Sequence, residues 1–404
     1  MRRIIALLAV GALAACGGGG SGSSPLPNGP PPAPGGSAID QIIAQNYAGG
    51  WGVELAIYRN GQPLYIHGYG LRDRGLPDTF ANPNIWRVPQ PDQVYNLARG
   101  PFAPDANTLY DLASVSKALT AGAILLLQQD GKLSVNDPLS KYFPSIPSAA
   151  QMPLLYLLQQ RSGLEDYTNS PGSGAAYHKF LASGNTDYQA IVDMIASFPL
   201  HFTPGTQYEY DNSNYLLLGL IVAKVSGEPF ATFLQQRILG PLAMTQTTQG
   251  LPPPPVSDIA LGYGVFGNNA ERMWQANLAW TLGAGGLVST VGDLEKWDEA
   301  VRRPGIFSAA SLAQMFAPNG FPQSFGTYAE GWVISTLDGH RYIWHDGELD
   351  GYMTMNATFP DDGLDIIILT NRDLGNGPYF IVPQIFPIAL TLSPASSVSQ
   401  KAAK

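Results

Sequence analysis

The sequence predicts an α+β fold in which one sheet is built from both ends of the chain and a mostly helical region is inserted between them. Two runs rich in strand-forming residues flank Asn60-Gly61 near the beginning, and an Asn-Gly pair is a strong signal for a β-hairpin. Further strand-like runs lie between 331 and 371. The residues between these two groups, 131–284, read mainly as helices and loops.

Residues 1–16 are predicted to be a secretory signal. Arg2 and Arg3 precede a short apolar run and small residues, and this run is too short to cross a membrane. The run ends in Leu-Ala-Ala-Cys, which resembles a bacterial lipoprotein box and makes Cys16, the single cysteine, the expected lipidation site. The alternative is a plain signal peptide with an incidental cysteine. We expect a protein of the bacterial cell envelope that is anchored by lipid and faces the periplasm, or is secreted.

The folded domain is expected to span 38–392. Residues 17–37 are rich in Gly, Ser and Pro, a composition that is typical of a flexible tether. Residues 393–404 are expected to be a C-terminal tail. The domain is predicted to consist of two parts: an α/β part, 38–130 and 285–392, and a helical part, 131–284.

Several elements can be located along the domain from apolar patterning and from residues that end helices. A long polar, proline-rich stretch at 71–106 is predicted to be a loop, and loops of this length in compact domains are often functional. Gly227 and Gly240 are predicted to end two helices. The predicted helices are 38–50, 117–130, 211–227, 228–240, a helix after 285 and a final one at 379–392.

The composition argues against nucleic acid and metal as partners. The chain of 404 residues has 22 Lys+Arg and 31 Asp+Glu, a net charge of −9, and no basic run. Its five histidines are scattered and there is no cysteine pair, so no metal motif is present and no cofactor is expected.

Ser114 and Lys117 are the first candidates for chemistry. Residues three apart share a helix face, so the hydroxyl and the amine can approach each other. At a helix N-terminus the serine N–H also points outward, where it can stabilise an oxyanion. Burial lowers the pKa of a lysine, and a neutral amine can take the serine proton. The alternative is a serine that caps the helix, followed by a solvated lysine.

Two more spaced pairs follow along the chain. Tyr210 and Asn212 have Y-x-N spacing just before a predicted helix, and His345 and Gly347 have H-x-G spacing on a predicted strand. Taken separately, each has a structural alternative: a core tyrosine, a helix N-cap and a turn.

In this order and spacing, the three motifs resemble the serine β-lactamase and penicillin-binding protein superfamily. The resemblance is greatest to the branch of class C β-lactamases, DD-peptidases and family VIII carboxylesterases. The segments "LLQQRSGLEDY", "GAGGLVSTVGDLEKW" and "FPDDGLDIIILTNR" also resemble parts of that family. The resemblance covers 38–392 and implies a β-lactamase-like fold with an antiparallel sheet flanked by helices.

The resemblance also implies roles for the motif residues. Ser114 would be the acylated nucleophile, and Lys117 with Tyr210 would accept its proton and return one to the leaving group. Asn212 would hydrogen-bond the substrate or hold Lys117. The oxyanion would be held by the backbone N–H groups of Ser114 and Glu348, and His345 and Gly347 would line the substrate site.

The sequence departs from the family at the third motif. Most β-lactamases of the superfamily have K-T-G there, whereas His345 supplies less positive charge for a substrate carboxylate. Gln160-Arg161 replaces the usual His-Thr, and the stretch at 71–106 is longer than is usual.

These departures leave the substrate open. We expect a serine hydrolase of small esters or amides, with a carboxylesterase favoured. The alternatives are a D-alanyl-D-alanine carboxypeptidase or D-amino-acid peptidase, a weak β-lactamase, and a penicillin-binding sensor that does not turn over.

Overall fold

The chain folds around a seven-stranded sheet in the computed structural model. The structure describes the following residues: 36–47, 49–73, 102–168, 187–250, 258–266, 269–272, 281–349, 351–373 and 377–393.

The central sheet joins the two ends of the domain, as predicted. Its strand order is β2-β1-β12-β11-β10-β9-β8, and each neighbouring pair is antiparallel. Only β1 and β2 come from the N-terminal part, so the chain completes the sheet when it returns. The strands are β1 Val53–Arg59, β2 Gln62–Tyr69, β8 Thr327–Tyr328, β9 Val333–Leu337, β10 His340–Leu349, β11 Tyr352–Phe359 and β12 Leu364–Thr370.

The contact between β1 and β12 closes the sheet. Val53 lies opposite Thr370 and Arg59 opposite Leu364, so the two strands pair over the whole of their length. β12 is buried at every position, which is expected of a strand covered on both faces. The predicted hairpin between β1 and β2 is confirmed: Asn60 and Gly61 have φ of 51° and 76°, the two positive values that a tight Asn-Gly turn requires.

Nine α-helices lie in the described residues. Two surround the candidate site: α2, buried from Ser116 to Leu127, and α5, which packs against it. Asp211 caps the start of α5 and Gly227, with φ of 77°, follows its end. The helices are α1 Gly36–Asn46, α2 Ser116–Gln129, α3 Leu154–Leu158, α4 Tyr188–Ser197, α5 Asn212–Ser226, α6 Phe230–Leu234, α7 Val291–Arg302, α8 Ala309–Met315 and α9 Val382–Thr391.

The inserted part is less uniformly helical than the sequence indicates. It contains a β-hairpin and one edge of a small three-stranded sheet, and α6 continues as a π-helix over Gln235–Leu239. Short strands of this kind have too few residues for a period of two to be read from sequence. The three-stranded sheet consists of β3 Tyr110–Asp111, β7 Leu287–Ser289 and β4 Thr248–Gln249, and the hairpin consists of β5 Tyr263–Phe266 and β6 Asn269–Arg272.

The helices are short compared with what a membrane span needs. Within the described ranges no helix taken singly is long and apolar enough, whereas one bent pair, Asn212–Ser226 with Phe230–Leu239 at 77°, satisfies the length and composition criteria.

Candidate active site

Ser114 lies in a tight turn that precedes α2. The turn is a 3-10 helix, Ala113–Val115, and the α-helix begins only at Ser116. The predicted helix 117–130 is therefore confirmed to within one residue at each end, and Ser114 lies in the turn just before it. Neither element has a side-chain cap, so the alternative of a capping serine is also ruled out. The Ser114 side chain is partly exposed and is available to a substrate.

A hydrogen bond to the side chain of Asp111 fixes the conformation of this turn. Ala113 has φ of 46°, a left-handed conformation that is unfavourable for a residue with a side chain. The Asp111 carboxylate accepts a hydrogen bond from the Ala113 N–H at 2.9 Å and holds it there. Burial raises the pKa of Asp111 to about 8. The left-handed residue turns the chain sharply, and Ser114 is thereby presented at the surface of the site.

Gly347 allows β10 to come close to the same turn. A Cβ atom on Gly347 would lie 2.3 Å from the Leu112 carbonyl oxygen and 2.4 Å from the Thr354 hydroxyl. No side chain can occupy that space, so the glycine of the H-x-G motif has a steric reason to be there. It brings the edge of β10 beside Ser114.

This edge bears on the predicted oxyanion site, the backbone N–H groups of Ser114 and Glu348. β9 pairs with β10 only as far as Trp344, so the edge of β10 beyond it is open to a substrate. Leu349 and Tyr352 close the tight hairpin between β10 and β11 and form a hydrogen-bonded pair. Hydrogen-bonded and non-hydrogen-bonded pairs alternate along an antiparallel ladder, so the N–H of the next residue, Glu348, points away from β11 and towards that open edge. The hydrogen bonds that define the 3-10 turn are donated by the N–H groups of Val115 and Ser116, which follow Ser114.

Lys117 is buried and makes three hydrogen bonds through its Nζ atom. It donates to Ser114 Oγ at 2.9 Å, to Asn212 Oδ1 at 2.8 Å and to the Ala284 carbonyl oxygen at 2.6 Å. These acceptors match the three donors of an ammonium group. The predicted approach of the lysine amine to the serine hydroxyl is thus present in the structure.

Burial has a large effect on the charge of Lys117. Its pKa is lowered to about 7, chiefly by desolvation, although the carboxylates of Asp166, Asp211 and Asp346 act in the opposite direction. A substantial fraction of the amine is therefore neutral near neutral pH, and the neutral form can accept a proton from Ser114.

Tyr210 lies directly before α5 with its ring beside Lys117. The ring centre is 4.8 Å from Lys117 Nζ. Burial raises the pKa of Tyr210 well above its usual value, so its hydroxyl is protonated at neutral pH. That hydroxyl makes no hydrogen bond of ordinary geometry among the described residues, although Ser114 is close enough to affect its pKa.

Asn212 connects the lysine to two residues that the sequence motifs do not include. Its side-chain nitrogen donates to Asp166 Oδ2 at 3.0 Å and to Thr168 Oγ1 at 3.1 Å. These contacts fix the amide so that its oxygen faces Lys117. Asp211 caps the helix instead, which leaves the Asn212 side chain free for the site.

His345 is buried and uses both ring nitrogens within the protein. Its Nδ1 donates to the Asp346 carbonyl oxygen at 2.6 Å, and its Nε2 accepts from the Tyr328 hydroxyl at 3.0 Å. Burial, together with Lys117, lowers its pKa to about 3, so the imidazole is neutral. This geometry favours a role in orienting the Asp346 peptide over the expected direct contact with a substrate.

Gln160, which stands where the family usually has histidine, supports the Tyr210 segment. It has φ of 57°, and its side-chain oxygen accepts hydrogen bonds from Asn214 Nδ2 and from the Asp211 N–H. Its carbonyl oxygen accepts from the Glu209 N–H. The departure from the family pattern thus falls on a residue that holds the backbone on both sides of Tyr210 in place.

The predicted residues fall into three groups. Ser114, Lys117, Tyr210 and Asn212 come together, and β10 brings His345, Gly347 and Glu348 to the edge of the same site. Cys16, most of the tether at 17–37, most of the tail at 393–404 and most of the predicted loop at 71–106 lie outside the described residues.

Sequence reasoning missed Asp111, Asp166, Thr168, Tyr328 and the Ala284 carbonyl. Asp166 and Ala284 could have been found, because they lie in the segments 157–167 and 283–297 that resemble the family. Thr168 and Tyr328 act through contacts between residues distant in the chain, whereas Asp111 contacts Ala113 two residues away.

The chemistry available here is acyl transfer. The described side chains around Ser114 supply a hydroxyl, an amine, a phenol and an amide, and the histidine already has partners. Such a set is suited to moving a proton between a nucleophile and a leaving group.

Comparison with known proteins gives a consistent result. The family described as Beta-lactamase matches residues 39–382. The chain is 30% identical over 287 residues to Penicillin-binding protein 4* of Bacillus subtilis, a match that covers 66% of this chain and 61% of that protein. It is 31% identical to the putative penicillin-binding protein PbpX of the same organism, over 79% of this chain and 70% of the relative.

A solved structure shares the fold. D-amino acid amidase from Ochrobactrum anthropi SV3, complexed with L-phenylalanine amide, superposes with a TM-score of 0.71 at 25% identity. The superposition covers 88% of this chain and 98% of the amidase.

Proposed function

This chain belongs to the Beta-lactamase family, a family of serine hydrolases, and from that premise we propose that it hydrolyses small esters through an acyl-enzyme on Ser114. The observation that carries this proposal is the charge of the site. Lys117 has a lowered pKa and His345 is neutral, so neither offers a fixed positive charge to a substrate carboxylate. A simple ester needs no such charge.

Acylation begins with the neutral Lys117 amine. Its Nζ, 2.9 Å from Ser114 Oγ, takes the hydroxyl proton as the oxygen attacks the carbonyl carbon. The carbonyl oxygen becomes negative and is held by the N–H groups of Ser114 and Glu348. The proton arrives on an amine whose remaining donors have acceptors in Asn212 and the Ala284 carbonyl.

Collapse of the intermediate expels the alcohol or amine. Tyr210 keeps its proton at neutral pH, so its phenol donates to the leaving group and is then reprotonated by the Lys117 ammonium. A water molecule repeats the sequence on the acyl-enzyme, which frees the acid and restores the Ser114 hydroxyl. The phenol therefore acts as a relay, and Lys117 is the base.

A second candidate substrate class is a D-amino-acid amide or peptide with a free amino group. Asp346 and Glu348 flank the open edge of β10, and Asp166 lies beside Asn212. Burial raises the pKa of Asp346 to about 6, so it is largely ionised at neutral pH and can attract an ammonium group. The likeness to a D-amino acid amidase supports this candidate.

A β-lactamase, a D-alanyl-D-alanine carboxypeptidase and a sensor are less well supported. A β-lactam or a peptide ending in D-alanine presents a carboxylate, which Asp346 and Glu348 would repel. A penicillin-binding sensor without turnover does not need Lys117 and Tyr210 in their present positions beside Ser114.

A parallel substrate panel tests the proposal. We expect p-nitrophenyl acetate and butyrate to be hydrolysed faster than nitrocefin and a D-Ala-D-Ala peptide, with Ser114→Ala as the inactive control. Faster hydrolysis of D-phenylalanine amide than of the esters would favour the second candidate. Faster hydrolysis of nitrocefin would contradict the charge argument.

We also propose that Cys16 carries a lipid that anchors the protein in the cell envelope, facing the periplasm. The support is the Leu-Ala-Ala-Cys sequence at 13–16. Labelled palmitate should be incorporated by the wild type, and Cys16→Ser should release the protein from the membrane fraction. Unchanged membrane partition of Cys16→Ser would contradict the proposal.

A further inference from the structure

Helix α7 presents a charged stripe to the interior of the protein. It packs against β1 and β12, a position where an apolar stripe is normal. Glu295, Asp298, Glu299 and Arg302 have the spacing i, i+3, i+4 and i+7, so they share one face of the helix. None of them belongs to the candidate active site.

The sheet opposite this stripe is also polar. Asp365 on β12 lies opposite Thr358 on β11. Arg302 pairs with both Asp365 and Glu299. Further along β11, Asn356 donates a hydrogen bond of 2.8 Å to Asp298 Oδ1. The helix stripe and the sheet residues therefore form one buried polar cluster, which we call the α7 cluster: Glu295, Asp298, Glu299, Arg302, Asn356, Thr358 and Asp365.

Negative charge exceeds positive charge in the α7 cluster. Four carboxylates face one buried guanidinium, that of Arg302. Within the described part of the chain Arg303 also pairs with Glu299, but its side chain is 74% exposed. Glu295 is 5% exposed, yet both of its carboxylate oxygens are buried without a donor among the described residues. One oxygen of Asp298 and one of Asp365 are likewise buried without a donor among the described residues. Burying unpaired carboxylates is costly, so something else must neutralise them.

We propose that the α7 cluster binds a divalent cation that prefers oxygen ligands, with Ca²⁺ as the best candidate. One carboxylate oxygen each from Glu295, Glu299 and Asp365 lie within 4.8 Å of one another, close enough to share one ion. The ligands are carboxylate oxygens, which hard cations such as Ca²⁺ and Mg²⁺ prefer, and Ca²⁺ accepts a more variable geometry than the octahedral Mg²⁺.

A cavity lies beside the α7 cluster, on the side of Asp298. It has a volume of about 260 Å³ and is lined by Asp298, Arg302 and Thr358, by Arg341 on β10 and by apolar residues, whereas the three proposed ligands lie outside this lining. It shares no residue with the candidate active site. The ion is therefore expected to stabilise the fold between α7 and the sheet, with no direct part in the hydrolytic reaction.

Protons are the competing way to neutralise the α7 cluster. Burial raises the pKa of Glu295 to about 10 and raises that of Asp298 and of Asp365. A folded state with raised carboxyl pKa values holds protons that the unfolded chain releases, so its stability would fall as pH rises from the unfolded value of these groups. The two explanations thus differ in how stability responds to cations and to pH.

Thermal unfolding of the chelator-treated protein at mildly alkaline pH distinguishes them. We expect millimolar CaCl₂ to raise the unfolding midpoint by about 4 °C, and MgCl₂ to raise it less. The isosteric variant Glu295→Gln should lose the response to Ca²⁺. The matched control Asp193→Asn, at an exposed acid on α4, should keep it.

Terbium luminescence provides a second measurement that does not depend on the stability of a variant. Tb³⁺ should bind the wild type and be displaced by Ca²⁺, and Glu295→Gln should bind it at least tenfold more weakly. A midpoint that ignores Ca²⁺ and falls with rising pH would show that protons neutralise the cluster and would overturn the proposal. A Ca²⁺ response that survives in Glu295→Gln would place the ion elsewhere and would also overturn it.

Discussion

Two buried polar clusters in this molecule differ in how their hydrogen bonds are completed. Around Lys117, one amine has three acceptors and each of its donors is used. In the α7 cluster, buried carboxylate oxygens of Glu295, Asp298 and Asp365 lack donors among the described residues. The hydrogen bonds of the Lys117 amine are complete within the protein, although the Tyr210 hydroxyl beside it has none of ordinary geometry among the described residues. The lysine can change charge near neutral pH. The α7 cluster is incomplete without protons or an ion.

Burial alone does not identify the role of a charged group. Burial lowers the pKa of Lys117 and raises that of Glu295, and in both cases the neutral form is favoured. Of the two clusters, the Lys117 cluster has the nucleophile Ser114, whose hydroxyl proton the neutral amine can accept. Changes in the Lys117 cluster should therefore alter activity, whereas changes in the α7 cluster should alter stability.

Ser114→Ala should have the largest effect on activity. Without the hydroxyl no acyl-enzyme can form, and kcat/KM for p-nitrophenyl butyrate should fall by about 10⁴-fold or more. Because the Ser114 side chain caps no helix, the unfolding midpoint should stay close to that of the wild type. Residual turnover within tenfold of the wild type would contradict the assignment of Ser114 as the nucleophile.

Lys117→Ala and Tyr210→Phe should each lower the acylation rate by about 10²- to 10⁴-fold, as is typical for loss of a general acid or base. The double variant should lose far less than the product of the two factors, since both residues move the same proton. Stopped-flow measurement of the acylation burst checks this. Multiplicative losses would show that the two residues act independently.

The pH profile should show the charge of Lys117. Since the amine must be neutral to act, kcat/KM should rise with pH and level off above an apparent pKa of about 7. Asp346 raises the pKa of Lys117, so Asp346→Asn should move this limb to lower pH by about half a unit. The control Asp193→Asn should leave it in place. A limb that moves to higher pH in Asp346→Asn would contradict this electrostatic picture.

Asp298→Asn should have the smallest effect on activity and should separate the two clusters. It removes one negative charge from the α7 cluster, so without added cation the unfolding midpoint at alkaline pH should rise by about 2 °C. kcat/KM should stay within about twofold of the wild type, because Asp298 does not contact the site. Loss of activity with an unchanged midpoint would mean that the clusters are coupled.

The sequence predicted the Lys117 cluster better than the α7 cluster. Ser114 and Lys117 are three residues apart, and Y-x-N and H-x-G are short motifs, so local spacing was enough to find them. The contacts of Asp166 and Tyr328 join distant segments and have no local pattern. The contact of Asp111 with Ala113 is local, but it depends on a left-handed residue that no motif marks. The acids of the α7 cluster have helical spacing, but the pattern reads equally well as a solvated face until β12 is seen against it.

The parts of the fold that have a local sequence pattern were also the ones that the sequence predicted. Strands β1, β2 and β9 to β12 were predicted because each has a long run of strand-forming residues, and the return of the chain to the sheet followed from their order. The start of α2 was predicted to within one residue, whereas the 3-10 turn before it was missed because the left-handed Ala113 is held by the Asp111 side chain, which propensity does not record. The hairpin of β5 and β6 was missed for lack of length.

The most direct test of the account is to locate the acyl group and to follow its rate of formation with pH. The protein is quenched after brief exposure to a fluorophosphonate probe or an activated ester, and the labelled peptide is sequenced by mass spectrometry. We predict a single adduct on Ser114, formed faster as pH rises through about 7 and very slowly in Lys117→Ala. An adduct on another residue, or a labelling rate that is independent of pH in this range, would contradict the claim that Lys117 activates Ser114.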